Sequence, residues 1–353
     1  MPIITNNAQK RRILKSLLYI YIALCLLFAS LNYALAPRVH KEMQQLITSV
    51  WHFYENGLKV ILIIVASLLT ISIVKGQKEY GLRKRNLIAL TISALVLHII
   101  LPFLLNNQEI YFFSMPLPWS TMPLQFFAQE GDYYYKSVEI LSLKGITLSL
   151  IFFIAISFVI VIGTLIQGRR WQCSSLCMFN GFAGEIFSCA SPSKEKKKRG
   201  LFLKKFRSAY LIVALLFISY WVLLLFKIPL SAYSNVVASI EVAKYLTFEL
   251  FFMMICWVVI SPRGYCYVCP VGNTLSLLSK VVKMRIVTDV TSCISCNKCN
   301  DVCPMNIDIS TQAKKGFDVI DSLCVGCGHC VDVCPQKTLR YTTNVLEAIR
   351  GEN

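Results

Sequence analysis

Six stretches of this sequence are almost wholly apolar, and they constrain the fold more than anything else in it. They run Ile13–Ala36, Leu58–Val74, Leu87–Leu105, Ile140–Gln167, Ala209–Leu230 and Lys244–Ile260. A hydrocarbon layer of about 30 Å needs roughly 17 to 25 helical residues to cross it. Inside lipid a backbone must satisfy its own hydrogen bonds, so blocks of this length become helices. Charged residues make up 16% of the chain, against about 25% in soluble domains. The expected architecture is therefore a membrane α-helical bundle of six transmembrane helices.

The net charge of +17 would also suit nucleic acid, but its distribution excludes that partner. Basic residues gather before the first block (Lys10, Arg11, Arg12) and between the second and third (Lys75, Lys78, Arg83, Lys84, Arg85). A third group lies between the fourth and fifth, with Arg169, Arg170, Lys196–Lys198 and Arg199. The alternate connections hold only Arg38, Lys41 and Lys136. The positive-inside rule then puts both termini on the cytoplasmic side of a prokaryotic inner membrane. The first block ends Ala34-Leu35-Ala36 like a cleavable signal, but Pro37 and the length of the run favour an uncleaved helix.

The outer connection Asn106–Ser137 is crowded with aromatics: Tyr111, Phe112, Phe113, Trp119, Phe126, Phe127 and Tyr133–Tyr135. Such a segment serves as an interfacial belt or re-entrant cap, or as a docking surface for a quinol or an outer redox partner.

Beyond the sixth block the chain turns polar and carries Cys293, Cys296, Cys299 and Cys303-Pro304, then Cys324, Cys327, Cys330 and Cys334-Pro335. Each cysteine of the second set follows its counterpart by 31 residues. This is C-x2-C-x2-C-x3-C-P twice over, the spacing of bacterial two-cluster ferredoxins. Three thiolates on one loop hold three corners of a cube, and the cysteine before proline turns towards the other cluster. Cys293, Cys296 and Cys299 are thus expected to share one [4Fe–4S] cluster with Cys334, and Cys324, Cys327 and Cys330 the other with Cys303. Zinc also binds paired C-x2-C, but gives no reason for a third cysteine and a Cys-Pro in each half. Cytoplasmic thiols stay reduced, so most of the 15 cysteines are read as ligands rather than disulfides.

Two further motifs stand where a block leaves the membrane: Arg169-Arg170-Trp171-Gln172-Cys173 with Cys177 after the fourth, and Arg263-Gly264-Tyr265-Cys266 with Cys269 after the sixth. Glycines follow in each, Gly181 and Gly184 in one and Gly272 in the other. Both follow helices running the same way, as in a parallel internal repeat. If the repeats pack together, Cys173, Cys177, Cys266 and Cys269 converge and can hold a third iron–sulfur cluster or another metal. The plain alternative is four buried thiols in helix-capping turns.

These features together resemble the NapH/NosR/CcoG membrane polyferredoxins, over most of the chain after about residue 80. The likeness is strongest at Cys303-Pro304-Met305-Asn306-Ile307-Asp308-Ile309, similar to that group's C-P-x-x-I-D-I. It implies a membrane electron carrier serving a respiratory or maturation enzyme. The chain departs from the group's C-x3-C-P at Met178, where proline is usual, and in the shorter Cys266–Cys269 spacing.

The expected division is residues 1–284 as a six-helix membrane domain with cysteine motifs at 168–184 and 262–272. A small α+β two-cluster domain at 285–341 and a tail at 342–353 complete it. Within the spans, His98 and Glu249 are ionisable and together suggest a proton-coupled quinone site. With one histidine in a span, no bis-histidine haem is expected. The leading function is electron relay between a quinone pool or cytosolic donor and partner oxidoreductase subunits or redox proteins. The alternative is a redox maturation or regulatory factor for a metalloenzyme. No nucleophile–base pair or phosphate loop marks independent catalysis, and spans apparently without charged pairs weigh against a transporter.

Overall fold

The structure is a computed structural model describing residues 2–75, 81–124, 143–190, 197–226, 228–289 and 293–351. Among these residues six helices are long and apolar enough to cross a membrane: Asn7–Arg38, Lys41–Val74, Gly81–Leu104, Thr147–Gln167, Gly200–Leu224 and Ser234–Val259. They coincide with the six apolar blocks. Large apolar side chains such as Phe103, Leu68 and Phe158 point outward from them. In water each would forgo about 1.5–3 kcal/mol of burial, so lipid is the solvent these faces fit.

Three boundaries move, one of them with chemical consequences. The second helix begins at Lys41, where the sequence suggested a polar outer loop. Residues Lys41–Phe53 form an amphipathic helix that continues through a π-helical turn, Tyr54–Leu58, into the apolar run. At 34 residues it is about 50 Å long, more than a hydrocarbon core requires. Hydropathy alone placed its start too late because the added turns are only half apolar. Glu55 and Lys59 thereby become buried helix residues, with Lys59 Nζ 2.6 Å from Glu55 Oε2. The expectation of spans without charged pairs is corrected by this pair. The sixth helix likewise starts earlier, at Ser234, which puts Lys244 mid-helix and 2.5 Å from Glu249. The fifth ends at Leu224, short of the expected Leu230.

The aromatic connection folds inward. Tyr111, Phe112, Phe113 and Trp119 are all buried, and Asn107 Nδ2 donates to Ser149 Oγ at 2.6 Å. Trp119 reaches Phe179, which arrives from the opposite end of the bundle, with ring centroids 4.5 Å apart. These rings form a re-entrant cap. Phe126, Phe127 and Tyr133–Tyr135 lie outside the described residues.

The C-terminal region closes on a two-stranded antiparallel sheet, β1 (Arg285–Thr288) against β2 (Leu339–Thr342), with Ile286 opposite Tyr341. Two short strands are marginal alone, and other contacts hold them. The expected tail contains a helix, Asn344–Arg350, whose N-cap Thr343 accepts from Leu346 N. The same hydroxyl donates to Ile166 O of the fourth helix at 2.7 Å. One contiguous apolar cluster runs from Leu14 in the first helix to Tyr341 in β2. The cysteine-rich region is thus packed onto the bundle rather than tethered to it.

Candidate functional site: three groups of cysteines in series

Cys293, Cys296, Cys299 and Cys334 line one small cavity, together with Pro335. Cys334 of the second repeat thus stands with the three loop cysteines of the first. In the other half, burial pushes the thiols of Cys324, Cys327 and Cys330 up, and the charge of Cys303 adds to this in all three. Cys303 lies near that loop although it precedes Cys324 by 21 residues. Among the described residues no three His, Cys, Asp or Glu side chains are gathered as a single metal ion requires. Thiols spread around a cavity suit a polynuclear centre better than tetrahedral zinc.

The two loops share one backbone path but differ in side chains, and the difference tells which is buried. Ser295 and Asn297 take left-handed φ values of 57° and 60° in the first loop, and Gly326 and Gly328 take 66° and 76° in the second. Left-handed backbone favours glycine. The first loop does without it because Cys296 and its surroundings are exposed. In the second, a Cβ at Gly326 would stand 2.6 Å from Arg170 Cβ, and one at Gly328 2.5 Å from Leu82 Cδ1. The second loop lies against the helical bundle and the first faces away.

Hydrogen bonds fix that docking. Asp332 accepts from the amides of Leu82 and Arg83, at 3.0 and 2.8 Å, at the start of the third long helix. A carboxylate there satisfies orphan N–H groups and complements the positive helix end. Asn86 Nδ2 donates to Cys327 O, Ser174 Oγ to Val325 O and Arg169 Nη1 to Ser322 O, at 2.9 to 3.1 Å.

The two arginine–cysteine motifs do converge. Cys173, Cys177, Cys266 and Cys269 all line one cavity of about 420 Å³. Their arginines cross over: Arg263 fills the space over Gly184, and Arg169 that over Gly272. A Cβ at either glycine would stand 2.3 Å from the guanidinium, so the glycines are required by close approach. This reciprocal exchange is what a parallel repeat gives when its copies pack face to face. Arg169 Nε donates to Cys173 Sγ at 3.3 Å. Burial, with the charges of Cys173 and Cys177, pushes the Cys266 thiol up to about 12 against the pull of Arg263 and Arg169. Cys189 has its backbone described in a 3-10 turn, Phe187–Ala190.

Behind these thiols stands a buried ionic group that the sequence reading missed. Glu185 takes Arg263 Nη2 on one oxygen at 2.6 Å and His329 Nε2 on the other at 2.8 Å. Arg263 also donates to Cys173 O at 2.8 Å. One carboxylate therefore joins both arginine–cysteine motifs to the helix His329–Asp332 that carries Cys330. Glu185 sits in an apolar stretch between basic segments, and only its neighbour Gly184 hinted at close packing.

The 420 Å³ cavity extends away from the thiols. Ala89, Ile92 and Val96 of the third helix and Ile156 and Ile160 of the fourth line it, together with Met115 and Trp119 of the cap. Ile92 is 55% exposed, so this wall reaches the outer surface of the bundle. Volume and apolar lining fit a small organic molecule. His98 and Glu249 do not form the pair proposed for this role: Glu249 binds Lys244, whereas His98 faces Glu55 and Lys59. The sequence could not pair them correctly because Glu55 lay in a presumed loop.

Residues 285–335 match the 4Fe-4S dicluster domain family. The match supports an iron–sulfur, ferredoxin-like segment there, packed on six long apolar helices. No curated protein and no solved structure matches the chain.

Proposed function

We propose that this chain is a membrane-spanning iron–sulfur relay that takes electrons from a hydroquinone within the bilayer and passes them to a cytoplasmic redox partner. The six helices cross the inner membrane of a prokaryote, with the basic connections and the dicluster domain inside. Cys293, Cys296, Cys299 and Cys334 hold the outlying [4Fe–4S] cluster, and Cys324, Cys327, Cys330 and Cys303 the one against the membrane. Cys173, Cys177, Cys266 and Cys269 hold a third centre between that cluster and the cavity. The resemblance to NapH/NosR/CcoG carriers points the same way.

The observation that carries this reading is the continuity of the apolar cavity with the thiols. Residues of the cap and four cysteines line it together, and the second cluster loop accepts hydrogen bonds from Ser174 of the first cysteine segment and from Asn86 of the third helix. A carrier that diffuses in lipid reaches such a cavity through the side of the bundle. Electrons then leave through buried cysteines and emerge at exposed Cys296, with exposed Ile294 beside it as a contact for the partner. This arrangement removes the need for a haem to span the membrane, because the carrier and the cap both reach inward.

The test is iron and acid-labile sulfide on anaerobically purified protein, followed by mixing with a short-chain hydroquinone. About twelve irons and rapid cluster bleaching are expected. About eight irons would leave the four membrane-edge thiols as structure. No reduction by hydroquinone, with metal- or flavin-reductase activity in its place, would transfer the assignment to a maturation factor.

A further inference from the structure

Four of the long helices carry a π-helical turn: Leu31–Leu35 in the first, and three that come together, Tyr54–Leu58 in the second, Val96–Ile100 in the third and Tyr245–Phe251 in the sixth. Such turns are rare and gather at functional sites. Here those three meet around one polar group. Lys59 Nζ is 2.6 Å and His98 Nδ1 3.7 Å from the same oxygen, Glu55 Oε2. All three side chains are buried, and His98 Nδ1 forms no hydrogen bond. A cavity of about 20 Å³ lies between them, room for one water molecule.

Two neighbours give this group its direction. Ser114, Met115, Met178 and Phe179 line both this small cavity and the 420 Å³ one, so they form the wall between them. On the other side, His52 Nε2 stands 3.4 Å from Glu109 Oε1, and these side chains are 13% and 26% exposed. His52, Glu55 and Lys59 follow at spacings of three and four along the second helix, which stacks them on one face.

We propose that Glu55, Lys59 and His98 form a proton-transfer station that carries protons from the large cavity to the outer face through His52 and Glu109. This rests on the reading above that a hydroquinone is oxidised in that cavity. Oxidation releases two electrons and two protons. The two electrons would go one each to the two [4Fe–4S] centres that the eight ferredoxin cysteines would hold, which would take them up as one-electron acceptors. Each O–H bond that breaks gives its proton, across the shared wall through the Ser114 hydroxyl, to the His98 imidazole, and the resulting imidazolium is stabilised by the Glu55 carboxylate. The proton moves on through Glu55 to His52, Glu109 and outer water before the second follows. Lys59 balances the Glu55 charge in the resting state, so the site gains rather than exchanges a charge at each passage. The other titratable groups facing it are Tyr21 and Cys25 from the first helix, Tyr54 from the second, Tyr111 from the cap and Tyr245 from the sixth. Tyr111 stacks on His98 with centroids 5.2 Å apart and accepts from Trp51 Nε1 at 2.7 Å, which holds the imidazole in place.

The experiment uses full-length protein in liposomes with a pH dye on the side opposite the dicluster domain. Wild type is expected to acidify that side as hydroquinone bleaches the clusters. In the double variant Glu55→Gln, Lys59→Met both charges go together, so no lysine is left buried and unpaired. Its clusters remain reducible by dithionite, while hydroquinone-driven bleaching slows about a hundredfold and the acidification disappears. Without hydroquinone, the infrared difference between acid and alkaline buffer should lose an imidazole band in His98→Gln. Undiminished rate and outer acidification in the double variant, or proton release on the dicluster side in wild type, would overturn the station alone. If wild-type clusters are not reduced by hydroquinone at all, the relay reading falls, and the station falls with it.

Discussion

Arg263 and Glu185 come from the two different arginine–cysteine repeats and meet in full burial, Nη2 to Oε1 at 2.6 Å. With His329 on its other oxygen, Glu185 is the point where both repeats and the dicluster domain are held together. Removing one partner of a buried pair strands the other charge, at about 3–5 kcal/mol. Glu185→Gln should therefore lower stability by about that amount, read as a fall in the denaturant midpoint. A change within about 0.5 kcal/mol, the range of surface substitutions, would show that the pair does not hold the domains.

The same carboxylate predicts a pH effect. Burial by itself raises its pKa, but His329, Arg263 and Arg83 outweigh that and hold it down to about 2, against an ordinary 4.5. A folded pKa below the unfolded one gives stability that is complete above the unfolded value and is lost as pH falls through the folded one. The stability difference between wild type and Glu185→Gln should accordingly shrink between about pH 5 and about pH 3. Denaturation curves at both values measure it. A difference constant across that range would contradict the pairing.

Gly184 and Gly272 should tolerate alanine badly. Each added methyl meets a guanidinium at 2.3 Å, and overpacking of this kind costs about 1–3 kcal/mol. Because each arginine also steadies the cysteine segment, iron bound at the membrane edge should fall with stability. Gly57→Ala is the control, since a Cβ there meets nothing within 4 Å and alanine favours helix. Melting temperatures and iron content of the three variants decide the matter.

The two halves of the dicluster domain should lose iron at different rates. Cys296 is exposed, whereas Cys327 and Cys330 are buried against the bundle. A chelator under mild oxidation should release about four irons quickly and the rest slowly. Cys296→Ser should abolish the fast phase while the slow one persists. A single phase in wild type would mean that both clusters are equally reachable.

How much of this was legible before the fold was known can be followed residue by residue. The six apolar blocks named their helices because a bilayer demands length and hydropathy, both of which are local properties. The helix ends were less legible: Lys41–Phe53 is amphipathic, and an averaged hydropathy cannot distinguish it from a loop. The doubled cysteine spacing pointed to the dicluster domain, and crosswise groups were expected because three ligands on one loop leave a fourth to come from elsewhere.

What the sequence by itself determined, then, is everything that chemistry encodes at short range: apolar length, cysteine spacing, and glycines at 326 and 328 where the first repeat has Ser295 and Asn297. Only the tertiary structure decided which distant residues meet. Nothing local says that Arg263 belongs with Glu185, that Arg169 needs Gly272, or that His98 answers to Glu55 rather than Glu249. Those pairings follow from how six helices pack and from the requirement that a buried charge find a partner. A linear chain carries the charges but not the distances between them.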